Sequence, residues 1–245
     1  MRCLYLFDVD GTLTPPKQTA SPEFRKDFLK WIENKEVYLV SGGSFIRLCE
    51  QLGGDVMEGI AGVFACMGNV YYKNKRDESR AWFFGYENKF TAPKKLFPTL
   101  AKIVTDSKYP VKTGEHASER TGMINFSIVG GKATQKQRKA YTQYDAEHKE
   151  REEIVAMLQA KYPKLDFVIG GAVSIDIFAK GCDKSQVIRE HFKDLPKDVT
   201  IHFVGDRTEF PGNDYAIAQL VEKRPNGHVH SVTSWKDTAL LLNRL

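Results

Sequence analysis

Five residues, Cys3-Leu4-Tyr5-Leu6-Phe7, run without a charge into Asp8-Val9-Asp10-Gly11-Thr12. A short continuous apolar run suits a strand covered on both faces, as in a parallel sheet, better than one with a wet and a dry side. The loop beyond such a strand is where open α/β sheets bind ligands. Two carboxylates two residues apart in that loop can face one cavity, because Gly11 lets the backbone turn sharply. One aspartate can then attack phosphorus and form an aspartyl-phosphate while the other shuttles a proton. An acidic turn with a glycine is often no more than that. This one gains weight from the strand before it and from the Thr12-Leu13-Thr14 that follows.

The chain continues in βα units. Ser21-Pro22 reads as an N-cap with proline at the first helical position. Phe24, Phe28, Leu29 and Ile32 share a face, so 22–34 is expected to be helical. Residues 37–40 read as a second buried strand ending in Ser41-Gly42-Gly43-Ser44, followed by a helix over 45–52 and a strand over 62–65. The pattern resumes late in the chain with a helix over 186–192, strands over 199–204 and 228–232, and a closing helix over 235–244. The middle differs. Alternating segments at 123–128 and 166–169 flank a charged stretch, roughly 134–160, that carries Tyr141, Tyr144, Ile154, Val155, Met157 and Leu158. That stretch reads as one solvated amphipathic helix. The expected organisation is a parallel α/β core from 1–81 and 182–245, enclosing an inserted α+β domain over 82–181.

Three further clusters fall at expected strand or helix ends. Ser41, Gly42, Gly43 and Ser44 offer hydroxyls and amides to phosphate oxygens, although Ser-Gly-Gly is also an ordinary turn. Gly181-Cys182-Asp183-Lys184-Ser185 places an ammonium where it can neutralise a phosphoryl group. Gly205-Asp206-Arg207-Thr208 and Gly212-Asn213-Asp214 follow an apolar strand, and their carboxylates can complete an oxygen-rich Mg²⁺ site.

Composition narrows the partners. A net charge of +5 leaves room for an anionic ligand. No arginine-rich run or aromatic-interleaved basic motif points to nucleic acid, so a phosphorylated metabolite is expected. The four cysteines, at 3, 49, 66 and 182, form no CxxC pair and read as reduced thiols. No stretch approaches the length of a membrane span, and a cytoplasmic protein is expected.

The four blocks in this order resemble the haloacid dehalogenase-like phosphotransferases and, more narrowly, the eukaryotic-type α-phosphomannomutases. The resemblance is carried by FDVDGTLTPP from Phe7, the EQLG of Glu50 to Gly53, and RTGMIN from Arg120 to Asn125. GGAVSIDIFAKGCDK from Gly170 to Lys184 and GDRTEFPGNDYA from Gly205 to Ala216 complete it. It spans almost the whole chain and implies a Rossmann-like core with an inserted cap. The implied reaction interconverts mannose 6-phosphate and mannose 1-phosphate through a bisphosphate. By position, Asp8 matches the nucleophile, Asp10 the acid/base and Lys184 the phosphate-neutralising lysine. Asp8, the Asp10 carbonyl and Asp206 match Mg²⁺ ligands supported by Asp214. Arg120, Ser174 and Asp176 match groups that hold the distal phosphate and sugar. A hexose bisphosphate activator and a homodimer through the cap are implied as well.

The chain also departs from that family. RGTF becomes Thr113-Gly114-Glu115-His116, an arginine becomes Gly131 with Lys132 as the nearby substitute, and a rim arginine becomes Lys17. Glu-Asn-Gly becomes Cys66-Met67-Gly68, and GGSD is displaced to Ser41-Gly42-Gly43-Ser44. Fewer guanidiniums for the distal phosphate leave a sugar-phosphate phosphatase as the alternative on the same scaffold. A non-catalytic binding protein would have no need of Asp8, Asp10, Lys184 and Asp206 together.

Overall fold

The computed structural model describes residues 2–75, 79 and 81–245. The chain opens with β1 (Cys3–Phe7), α1 (Pro22–Ile32), β2 (Glu36–Val40), α2 (Phe45–Leu52), α3 (Gly54–Gly59) and β3 (Gly62–Ala65). It continues with β4 (Val70–Asn74), β5 (Trp82–Glu87), α4 (Leu96–Asp106), β6 (Ala117–Arg120) and β7 (Met123–Phe126). Then come α5 (Gln135–His148), α6 (Glu150–Lys161), β8 (Leu165–Ile169) and β9 (Ile175–Ala179). The last stretch is β10 (Thr200–Gly205), α7 (Tyr215–Glu222), β11 (Gly227–Ser231) and α8 (Trp235–Leu242).

Seven strands form one sheet in the order β11-β10-β1-β2-β3-β4-β5, and β6-β7-β9-β8 form a separate four-stranded sheet. In the larger sheet β11, β10, β1, β2 and β3 are parallel, while β4 and β5 return antiparallel. The opening apolar run has the expected cause. Tyr5 and Phe7 pack with Phe24 and Phe28 on one face, and Leu4 and Leu6 with Phe203 and Ile217 on the other. Each such side chain contributes about 1.5–3 kcal/mol of burial. α1 starts where Ser21 Oγ accepts the Phe24 N–H at 3.2 Å. The smaller sheet is antiparallel throughout and carries its own core, in which Phe126, Ile175 and Ile177 meet Leu100, Tyr141 and Leu158.

Strand order reverses at β1. The chain builds outward through β2 to β5, then returns to place β10 on the other side of β1. Such a switch point opens a crevice at the strand carboxyl ends. Asp8 and Asp206 both stand there, since Phe7 pairs with Val204.

Three expectations need correction. The boundary drawn at 82 falls on the first residue of β5, which pairs with β4, so the larger sheet reaches Glu87. β5 is the edge strand of the larger sheet. The single helix over 134–160 is two, broken at Lys149, which adopts a left-handed φ of 54°. The break serves a buried pair: Asp145 at the end of α5 accepts both the Arg151 N–H and its Nε, at 2.8 and 2.7 Å. The helix expected over 186–192 is a π turn, Val187–His191, closed by Phe192 N–H to Val187 O at 3.0 Å.

Candidate functional site

The loop after β1 folds back on one carbonyl. The Thr12, Leu13 and Thr14 N–H groups all donate to Val9 O, and the Gly11 N–H donates to Thr14 O at 2.8 Å. Gly11 has φ +97°, and an added Cβ would lie 2.4 Å from Asp206 Oδ2. α8 clamps the loop from behind, with Thr238 Oγ1 donating to Thr12 O at 2.6 Å.

Asp8, Asp206 and Asp214 each place a carboxylate oxygen within 4.8 Å of the others. Lys184 Nζ donates to Asp8 Oδ1 at 2.5 Å and to Asp214 Oδ1 at 2.7 Å, and all three residues are buried. Burial alone would push the Lys184 ammonium down, but the two carboxylates hold it above its usual value. The Asp8 carboxyl is raised well above the usual range, first by burial and then by the neighbouring Asp214 and Asp206, against the pull of Lys184. Asp206 is pushed up to about 6, again chiefly by burial, with Asp214 adding to it. Lys184, with the Arg207 guanidinium 3.9 Å from Asp206, thus leaves these three carboxylates, two buried and Asp206 partly so, with surplus negative charge. An all-oxygen set with surplus negative charge fits a hard divalent cation. Asp214 is already committed, through Oδ1 to Lys184 and through Oδ2 to the Arg207 N–H at 3.1 Å. That makes it a support for such an ion, and leaves Asp8 and Asp206 as the freer donors.

Above this cluster lies a cavity walled by both the core and the insertion. Asp8, Asp10, Lys17, Ser41, Gly42, Arg47 and Asp206 come from the core side. Arg120, Asn125, Arg138, Gly171, Ser174 and Asp176 come from the insertion. The two sides touch where Arg120 Nη1 donates to Gly42 O at 2.5 Å and where the Ile169 N–H donates to Pro211 O at 3.3 Å. Asp176 accepts from Asn125 Nδ2 at 2.6 Å, and burial raises its carboxyl although Arg120 and Asn125 pull the other way. Ser174 belongs to a turn gripped by Arg151, whose Nη1 reaches Gly170 O, Gly171 O and Ser174 O at 3.2, 3.1 and 3.4 Å. Lys17 is lowered to about 8, first by burial and then by Arg138, Arg47 and Arg120. Four cations therefore line the cavity within electrostatic reach of one another. Crowding of like charge calls for an anion.

Most of the expected residues meet at this cavity: Asp8, Asp10, Lys17, Ser41, Gly42, Arg120, Ser174, Asp176 and Asp206. Lys184 and Asp214 lie directly beneath. Three do not line it. Gly43 and Ser44 turn into α2, with Gly43 O taken by the Cys66 N–H at 2.9 Å. Lys132 is exposed and lays its stem over Gly114, so it does not stand in for the arginine absent at Gly131. The structure adds Arg47, Arg138 and Gln51. Arg138 is buried and, among the described residues, its Nε has no hydrogen-bond partner. It shares the inner face of α5 with Tyr141 and Asp145, a spacing of three and four that marks them as one stripe.

Comparison with known proteins bears on family and fold. A family model for eukaryotic phosphomannomutase matches residues 25–245. A phosphomannomutase of Dendrobium officinale is 37% identical over 96% of this chain and 91% of its own length. One from Saccharomyces cerevisiae is 35% identical over 99% and 93%. Phosphomannomutase 1 of Dictyostelium discoideum is 37% identical over 98% and 95%. The Saccharomyces cerevisiae and Dictyostelium discoideum relatives, at 99% and 98% of this chain, reach the loop at Asp8, which lies ahead of the matched family segment. Among solved structures, the C-terminal domain of Candida albicans trehalose-6-phosphate phosphatase superposes with a TM-score of 0.64 at 15% identity, covering 99% of this chain and 92% of that one. A haloacid dehalogenase-like hydrolase from Bacteroides thetaiotaomicron gives 0.55 at 15% identity, covering 100% and 99%. At that identity they speak for the fold.

Proposed function

The chain belongs to the eukaryotic phosphomannomutase family, and on that premise we propose that it interconverts mannose 6-phosphate and mannose 1-phosphate through an aspartyl-phosphate on Asp8 and a hexose bisphosphate. The observation that supports this most is that one cavity brings the Asp8–Lys184 pair together with a group of cations. Asp8 lines it above Lys184, and Lys17, Arg47, Arg120 and Arg138 line the same cavity. A mutase must hold a phosphate at each end of its substrate, because the bisphosphate has to be rebound the other way round.

In this reading Asp8 Oδ attacks phosphorus, and Lys184 offsets charge on the attacking carboxylate. Asp10 protonates the departing sugar oxygen and later takes the proton back from the hydroxyl that attacks the phosphoenzyme. Mg²⁺, held by Asp8, the Asp10 carbonyl and Asp206 with Asp214 behind them, would supply positive charge to the phosphoryl oxygens. Ser41 and the Gly42 amide offer donors to the transferring group. Arg120, Arg138, Ser174 and Asp176 receive the distal phosphate and the sugar hydroxyls, and closure of the insertion over the core keeps water from the phosphoenzyme.

The phosphatase alternative rests on the family arginines replaced here by Thr113 and Gly131. Arg138 and Arg47 in the same cavity weaken that argument. A cytosolic enzyme fits four unpaired cysteines, and no helix among the described residues is long and apolar enough to cross a membrane. A homodimer through the insertion and activation by a hexose bisphosphate belong to the same reading, supported by family membership. The test supplies mannose 1-phosphate, hexose bisphosphate and Mg²⁺, and measures mannose 6-phosphate and free phosphate together. Sugar phosphate in excess supports the mutase; free phosphate in excess transfers the case to the phosphatase.

A further inference from the structure

Gln51 on α2 is 5% exposed, and both ends of its amide are engaged. Nε2 donates to Asp10 Oδ1 at 2.9 Å, with Thr14 Oγ1 at 3.1 Å and Gln18 O at 3.3 Å sharing the same group. Oε1 accepts from Arg47 Nε at 3.4 Å. The amide cannot be turned over, since that would set its oxygen against the Asp10 carboxylate and its NH₂ against the guanidinium. The Lys17 N–H donates to the same Asp10 Oδ1 at 2.6 Å. Among the described residues, no donor reaches Asp10 Oδ2, while Asp10 itself lines the cavity. One oxygen is pinned and the other is left to face the substrate.

We propose that Gln51 is a positioning residue for proton transfer: with the Lys17 amide it pins Asp10 Oδ1, and Oδ2 is the oxygen that carries the proton. This rests on the phosphotransfer reading above. As an Asp8 oxygen bonds to phosphorus and the bond from phosphorus to the sugar oxygen breaks, the proton on Oδ2 passes to that oxygen. In the return transfer the sugar hydroxyl gives its proton to Oδ2 while its oxygen attacks phosphorus and the bond to Asp8 breaks. Two hydrogen bonds on Oδ1 use the lone pairs a proton would need there. Without the Gln51 donor, only the Lys17 amide holds Oδ1, the carboxyl rotates more readily, and the proton spends less time in line with the leaving oxygen. Arg47 acts one step further back, by fixing which end of the Gln51 amide meets Asp10.

The test compares two phosphoryl donors in single-turnover formation of the phosphoenzyme with Mg²⁺. Mannose 1-phosphate has a sugar leaving group that needs the proton; acetyl phosphate releases acetate, which does not. Gln51→Leu is expected to slow transfer from mannose 1-phosphate about tenfold or more beyond any loss with acetyl phosphate, a share of the ~10²–10⁴-fold that acid–base help is worth. In steady state the loss should fall on kcat, with KM for mannose 1-phosphate holding. Should that variant not fold, Gln51→Glu keeps the shape, replaces the donating NH₂ with an acceptor, and is read the same way. Equal losses with both donors would mean a structural role, and no loss with either would mean no role; both overturn the proposal. Wild-type protein that takes phosphate from neither donor would remove the phosphotransfer reading itself, and this proposal with it.

Discussion

Gly11 and Asp206 approach so closely that a methyl group on Gly11 would sit 2.4 Å from Asp206 Oδ2. The glycine holds φ +97° directly after the two aspartates of the first loop, where the loops after β1 and β10 come to one place. Gly11→Ala should fail twice: an L side chain at that φ costs of order 1–3 kcal/mol, and the Asp206 carboxylate has to move. Denaturant unfolding is expected to show that loss. Mg²⁺ is expected to add thermal stability to the parent protein by binding its folded form, and should add little to the variant.

Arg138 is the residue on which recognition of the far phosphate should depend most. Buried, with Nε unpartnered among the described residues and beside Lys17, it is held ready for an anion. A charged hydrogen bond is worth about 1.5–3 kcal/mol. Arg138→Ala should therefore raise KM for mannose 1-phosphate by roughly 10- to 150-fold, and shift product toward free phosphate. Lys132→Ala, on an exposed stem over Gly114, should change neither. Steady-state kinetics with both products measured would decide between the two residues.

The ease of reading differed along the chain for physical reasons. Asp8, Asp10 and Asp206 were legible because each follows an apolar run, and the end of a buried strand is a place where chemistry is expected. Arg138 was hidden because α5 and α6 are dense in charge, and a buried guanidinium looks like its solvated neighbours until Tyr141 and Asp145 are seen on the same face. Lys149 carries no mark of a break, being neither glycine nor proline; the buried Asp145–Arg151 pair imposes it. The pairing of Trp82 to Glu87 with β4 is a tertiary fact that the local sequence does not announce. The work of Gln51 depends on two contacts, 37 and 41 residues away, that no local pattern announces.

Acid should weaken the fold through the histidines of β10 and β11. His202 stacks on Tyr5 and His228, with Nδ1 3.1 Å from His230 Nε2, and burial together with His230 and His228 pushes it down to about 4. It is neutral in the folded chain and protonates near 6.5 in the unfolded one, so the unfolded state binds the extra proton between those values. Its contribution is whole above pH 6.5 and is lost as pH falls toward 4. Asp206, raised to about 6, acts with the opposite sign, so the difference from His202→Phe is the clean readout. Urea midpoints measured from pH 7 to 4.5 should fall more steeply for the parent protein than for His202→Phe.

The central claim is that Asp8 carries the phosphate. Its carboxylate lies 2.5 Å from Lys184 Nζ at the end of β1, and Asp10 shares its loop. Brief incubation with phosphorus-labelled mannose 1-phosphate and Mg²⁺, followed by acid quench and peptide mapping, should put the label on the peptide holding Asp8. That label should be released by hydroxylamine, as expected of an acyl phosphate, and be absent from Asp8→Asn, whose amide is too poor a nucleophile. Label on another residue, or turnover of mannose 1-phosphate by Asp8→Asn, would contradict the account.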